Sequence, residues 1–215
     1  MGVPQRPTVQ ARASDFARSG FGMLLVAVVA AWIIEIVDQV VMDDRLQRNG
    51  IHPREVDGID GIVWAPFLHS GFGHVASNTV PLLVMGGLIA ARGRTYWARI
   101  TLITIAAGGA LVWLLGGSGN HIGASGVVFG YFGALLGAAW FERRPAALGG
   151  ALIAVFLYSG SLAGLVPQGD LSWESHLFGF IVGFLVARAL AEPRRRPGEE
   201  EGYRYDWELD EPWRD

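Results

Sequence analysis

The run Gly20-Phe-Gly-Met-Leu-Leu-Val-Ala-Val-Val-Ala-Ala-Trp32-Ile-Ile-Glu35-Ile-Val-Asp38-Gln-Val-Val-Met42 decides which solvent this chain is built for. Its apolar residues follow one another without the alternation of a half-buried helix or strand, over a length that matches the ~20 residues a spanning helix needs. Bulky Trp32, with Glu35 and Asp38 near the far end and no small-residue cleavage pattern behind, reads as a retained helix and not as a cleaved signal peptide. Comparable runs follow at about 64–91, 97–116, 125–141, 146–166 and 173–191. The expectation is an all-α polytopic membrane protein with six transmembrane helices.

Composition agrees. Of the 215 residues, 51% are hydrophobic and 17% charged, against roughly 25% charged in an ordinary soluble domain. The chain has no cysteine, which excludes a disulfide framework, a thiolate metal site and a cysteine nucleophile together. Its basic residues are all arginine, scattered among the segment ends, and the net charge is -3. No single basic face emerges, so nucleic acid is excluded as a partner.

The arginines also orient the chain. Arg92, Arg94 and Arg99 follow the second run, Arg143 and Arg144 the fourth, and Arg194 to Arg196 the sixth, whereas 117–124 and 167–172 hold no basic residue. By the positive-inside rule both termini are cytoplasmic, and the loops before the second, fourth and sixth helices face the other side. The polar stretch 43–61, with five acids against three arginines, is then extracytoplasmic. Residues 1–19 read as a cytoplasmic lead-in, 20–192 as the membrane domain and 193–215 as a charged cytoplasmic tail.

Polar groups in a bilayer are costly unless they are paired or line water, so the histidines and hydroxyls in the apolar runs are the residues to question. At the outer entrance of the second run stands His69-Ser-Gly-Phe-Gly-His74-Val-Ala-Ser-Asn78. His74 and Asn78, four apart, share a helix face; His69 points about 140° away or lies on the preceding loop. Gly123-Ala-Ser125-Gly126 marks the start of the fourth run, where free backbone N–H groups and the helix dipole favour an anion. Alone, Ser125 reads as an ordinary N-cap. His176 opens the sixth run in Trp173-Glu-Ser-His176-Leu-Phe-Gly179-Phe-Ile-Val-Gly183. The stripe Gly126, Gly130, Gly133, Gly137 and the pair Gly179, Gly183 would let these two helices approach backbone to backbone, bringing His176 to Ser125.

All three clusters fall on one side of the membrane at shallow depth. Such a set supports acyl transfer by a dyad, with Ser125 as nucleophile, His176 as general base and acid, and His74, Asn78 and the Ser125 N–H as oxyanion donors. Glu174, two residues from His176, does not share its helix face and is left out; His69 reads as structural. A metal held by His69, His74, His121 and His176 is the competing chemistry, but no carboxylate or HExxH pairing supports it. Glu35 and Asp38, at a helix end beside an aqueous loop, read as solvated at the interface and not as a proton relay.

The ordered set His69-x4-His74-x3-Asn78, Gly123-Ala-Ser125-Gly and His176-x2-Gly179-x3-Gly183 over six spans resembles the rhomboid family of intramembrane serine proteases. The resemblance covers roughly 20–191. It implies Ser125 as nucleophile, His176 as its base, and His74 and Asn78 as helpers in binding the oxyanion. The substrates it implies are transmembrane proteins, cut near the membrane surface where a helix is easily unwound; no cofactor is implied. Two departures stand out. The Trp-Arg pair frequent in the family's first loop is replaced by Gly61-Ile-Val-Trp64-Ala-Pro66, and the tyrosine that stacks on the histidine in many members is Phe129. A non-catalytic member would bind transmembrane clients without cutting them and would normally lack the serine or the histidine, both of which stand here. A transporter would require inverted repeats or broken helices with midplane charges, and neither is visible. The bias to Ala, Gly and Arg without lysine points to a bacterial plasma membrane.

Overall fold

The computed structural model describes residues 19–166 and 172–191. Apart from Ser19, the cytoplasmic segments expected at 1–19 and 193–215 lie outside the described residues. Among those described, every regular element is helical. Five helices are long and apolar enough to cross a membrane: α1 (Gly20–Met42), α2 (Phe72–Ala90), α3 (Arg94–Leu115), α4 (Ser125–Glu142) and α6 (Trp173–Leu190). The remaining apolar run is a shorter helix, α5 (Pro145–Tyr158), carried on by a 3-10 segment, Ser159–Leu165. At about 1.5 Å per residue α5 itself is about 21 Å long, short of the ~30 Å of a bilayer's hydrocarbon core.

One expected span is corrected. The run 64–91 is not a single helix: Gly61–Trp64 and Ala65–Phe67 form a short helical step, and α2 starts only at Phe72. Leu68 is extended and Gly71 has φ +112°, a backbone region that L side chains rarely adopt, so the chain breaks at Gly71. This break leaves His69 on a loop and His74 and Asn78 in the first turns of α2.

The bundle is organised around α4. Two thirds of its span (67%) is buried, against 28–33% for the other four long helices. Tyr131, Phe132 and Leu135 of α4 pack with Leu24 and Val28 of α1, Met85 and Ile89 of α2, and Val182 and Val186 of α6. The outer faces stay apolar: Val26 and Ile33 on α1, Leu102 on α3, Leu152 and Phe156 on α5 and Leu185 on α6 are exposed. An apolar surface this extensive is the mark of a lipid-facing protein. Some of the polar groups inside are paired with one another. The Trp32 indole donates to Thr79 Oγ1 at 2.9 Å, and Thr101 Oγ1 lies 2.8 Å from the Tyr131 hydroxyl.

The acids of α1 correct a second expectation. Asp38 and Glu35 are buried, not solvated at the interface. The Asp38 carboxylate accepts from the backbone N–H groups of Leu46 and Gln47, at 2.7 and 3.0 Å, and so ties the following loop to the helix end. That loop in turn holds the entry to α4. Ile51 and His121 exchange two backbone hydrogen bonds of 3.0 Å, Arg54 Nη1 donates to the Gly116 carbonyl at 2.7 Å, and Gly123 N donates to the Ala65 carbonyl at 2.8 Å.

Candidate active site

The α4–α6 crossing is set by residues without side chains. A β-carbon on Gly179 would overlap the Gly126 carbonyl oxygen, one on Gly183 the Gly130 carbonyl oxygen, and one on Gly133 the Phe180 carbonyl oxygen. Only glycine permits this approach, which replaces side-chain packing by backbone contact. The expected seam between the two glycine stripes is therefore formed, and it carries the first turns of both helices past one another.

Ser125 is the first residue of α4 and His176 lies in the first turn of α6. Across the seam His176 Nε2 lies 2.8 Å from Ser125 Oγ. The other ring nitrogen, Nδ1, lies 2.8 Å from the carbonyl oxygen of Gly164, in the 3-10 segment after α5. A carbonyl only accepts, so Nδ1 carries the hydrogen and Nε2 is left to accept from the serine hydroxyl. Phe129, one turn below Ser125, stacks on the imidazole with ring centroids 4.3 Å apart and planes 17° from parallel. The ring is thus held by two hydrogen bonds and one aromatic face.

The α2 residues approach from the other side. His74 Nδ1 lies 3.3 Å from the Ser70 backbone N–H, which donates to it. This places the imidazole hydrogen on Nε2. Asn78 is buried, and its Nδ2 has no hydrogen-bond partner. Both groups converge on Gly123, where φ is +105° and an added β-carbon would stand 2.7 Å from His74 Nε2 and 3.5 Å from Asn78 Nδ2. The unpartnered Asn78 amide and the half-buried His74 Nε2 therefore face the start of α4, whose first N–H groups have no intrahelical acceptor. Buried amide hydrogens without an acceptor are costly. Here the Asn78 amide points at Gly123, two residues before Ser125.

His69 stands behind this set. Its Nε2 accepts from the Ala124 backbone N–H at 3.4 Å, and its ring meets that of His74 edge to face at 5.0 Å. Burial, with His74 as neighbour, pushes the His69 imidazole down to about 4. It is neutral and fixes the residue before Ser125, in keeping with a positional part. His121 has both ring nitrogens engaged, with Ser172 Oγ and the Gly117 carbonyl. Glu174 accepts from Gly117 N at 3.0 Å, so it braces the loop before α4. The Gly164 carbonyl was not legible in the sequence, because a backbone acceptor leaves no side-chain signature.

Comparison with known proteins places these features in a family. Residues 59–193 match the family model described as the Rhomboid domain. An uncharacterized protein of Mycobacterium tuberculosis is 35% identical over 205 residues, covering 91% of this chain and 85% of its own length. The protein named rhomboid protease GluP, of Bacillus subtilis, is 33% identical over 132 residues, 59% of this chain and 25% of its own. RHOMBOID-like protein 1 of Arabidopsis thaliana is 33% identical over 145 residues, 63% of this chain and 35% of its own. With these matches and its lipid-facing helices, the chain is an integral membrane protein that belongs to the rhomboid family.

Proposed function

We propose that this protein is an intramembrane serine endopeptidase that cuts transmembrane segments of membrane proteins near the extracytoplasmic surface. The observation that carries the reading is the 2.8 Å approach of His176 Nε2 to Ser125 Oγ, with the imidazole oriented from behind by Gly164.

In the proposed reaction Ser125 Oγ attacks the scissile carbonyl carbon and passes its proton to His176 Nε2. The carbonyl oxygen becomes an oxyanion that receives hydrogen bonds from Asn78 Nδ2, His74 Nε2 and the Ser125 backbone N–H. Each donor of this kind typically contributes a few kcal/mol in a water-poor site. Collapse of the tetrahedral intermediate breaks the C–N bond, and the imidazolium gives its proton to the departing amine. A water, deprotonated by Nε2, then hydrolyses the acyl-enzyme and restores the serine. No cofactor enters the scheme. The positive-inside pattern supports both termini in the cytoplasm of a bacterial cell, which puts the dyad near the outer surface.

The test is cleavage of a single-span substrate in liposomes by the purified protein, beside Ser125→Ala and His176→Ala. Products formed by the wild type alone support the dyad. If all three proteins leave helix-destabilised substrates intact yet retain them on co-purification, the protein binds transmembrane clients without cutting them.

A further inference from the structure

The arginine-rich end of the bundle, opposite the dyad, holds a crevice of about 560 Å³ among α2, the start of α3, α4 and α5. Its walls are apolar, built by Leu88 of α2, Leu135 of α4, Ile153 of α5 and Leu190 of α6. Its polar residues are of another kind. Arg92 is held between the Glu142 carboxylate, which accepts from Nη2, and the Tyr96 ring, whose centroid lies 3.9 Å below the guanidinium carbon. Arg144 lines the same crevice, and the buried Tyr96 hydroxyl has no hydrogen-bond partner. Glu142 occupies one donor of a group that carries five, and Arg144 adds a second positive charge.

We propose that this crevice binds an anionic phospholipid, with the headgroup phosphate at Arg92, Arg144 and the Tyr96 hydroxyl and one acyl chain along the leucine and isoleucine wall. Three observations point to a lipid and not to a soluble anion. The cationic mouth continues without a break into an apolar slot, the slot opens on lipid-facing helices, and the arginines stand at the membrane end where the positive-inside rule places anionic headgroups. Guanidinium groups match phosphate geometry closely. Gly149 borders the slot, and a β-carbon there would meet nothing within 4 Å. A side chain at 149 therefore starts out in open space at the border of the slot.

The full-length protein, purified in neutral detergent, is offered phosphatidylglycerol, phosphatidylcholine or glycerol 3-phosphate. Retained lipid is counted by native mass spectrometry and the unfolding midpoint is recorded. One equivalent of phosphatidylglycerol retained, with a raised midpoint and no such effect of the other two, is the expected result. Arg144→Gln should weaken retention roughly tenfold, the usual order for one charge-assisted hydrogen bond. Gly149→Leu should abolish retention while its midpoint without lipid does not fall below that of the wild type. Equal retention of phosphatidylcholine, equal retention by Gly149→Leu, or an equal response to glycerol 3-phosphate would each overturn the proposal. The outcome is independent of proteolysis, since none of these residues touches the dyad.

Discussion

The carbonyl oxygen of Gly164 lies 2.8 Å from Nδ1 of His176, on the ring edge opposite the nitrogen that meets Ser125. A main-chain acceptor thus holds the tautomer that a carboxylate holds in a triad, so the proposed dyad needs no third side chain. The orienting partner is carried by the segment after α5, whereas the proposed nucleophile and base ride on α4 and α6. The tautomer is therefore held while that segment stays seated against α6.

The stack of Phe129 on His176 supplies the remaining restraint. Aromatic pairs contribute about 0.5–1.5 kcal/mol beyond burial, so Phe129→Ala should lower kcat about tenfold through a less well ordered base. Phe129→Tyr should stay within about twofold, because the face is kept. Initial rates on a fluorogenic single-span substrate separate the two outcomes, and equal activity of the alanine variant would remove Phe129 from the catalytic arrangement.

Asn78 offers the sharpest check on oxyanion binding, since its Nδ2 has no partner to lose. Asn78→Ala should reduce kcat by about 10²–10³ with little change in KM, and the thermal midpoint should not fall. A rise in KM at constant kcat would instead assign Asn78 to substrate binding.

The glycine seam predicts where the fold tolerates no methyl group. Gly183→Ala drives a β-carbon into the Gly130 carbonyl, and overpacking of this kind costs about 1–3 kcal/mol or more. Its unfolding midpoint in detergent should drop by several degrees. Gly149→Ala, inside α5 with nothing near its β-carbon, should not lower the midpoint and gains the helix propensity that glycine lacks.

His69 makes stability depend on acidity. Its imidazole, ordinarily near 6.5, is pushed down to about 4 by burial. Above pH 6.5 folded and unfolded chains are both neutral at this position. Between 6.5 and about 4 the unfolded chain takes up a proton that the folded one refuses, so stability falls with pH by a total on the order of 3 kcal/mol. Melting curves from pH 7.5 to 4.5 should show a shallower decline for His69→Gln than for the wild type.

Much of this was written in the sequence because a bilayer allows few solutions. Runs without periodicity, such as 20–42, mark spans directly, and α1, α3, α4 and α6 start or end within a few residues of the expected limits. The glycine stripes announced the α4–α6 contact for the same reason: small residues at a four-residue period have few other uses in lipid. The break at Gly71 was hidden by the apolar residues on both sides of it, since hydropathy does not see backbone dihedral angles. Asp38 was misread because its partners are main-chain N–H groups eight and nine residues on, supplied by the path of a loop and not by any residue type.

Gly123 carries a consequence for how the proposed activity is silenced. Its missing side chain leaves open the volume bounded by the His74 ring and Asn78 Nδ2. Any methyl group installed there would sit where the proposed oxyanion must form, on a backbone that already disfavours L side chains. For the proposed reaction, Gly123→Ala would amount to an inhibitor built into the polypeptide, present in every copy and unable to dissociate, with Ser125 and His176 chemically intact beside it.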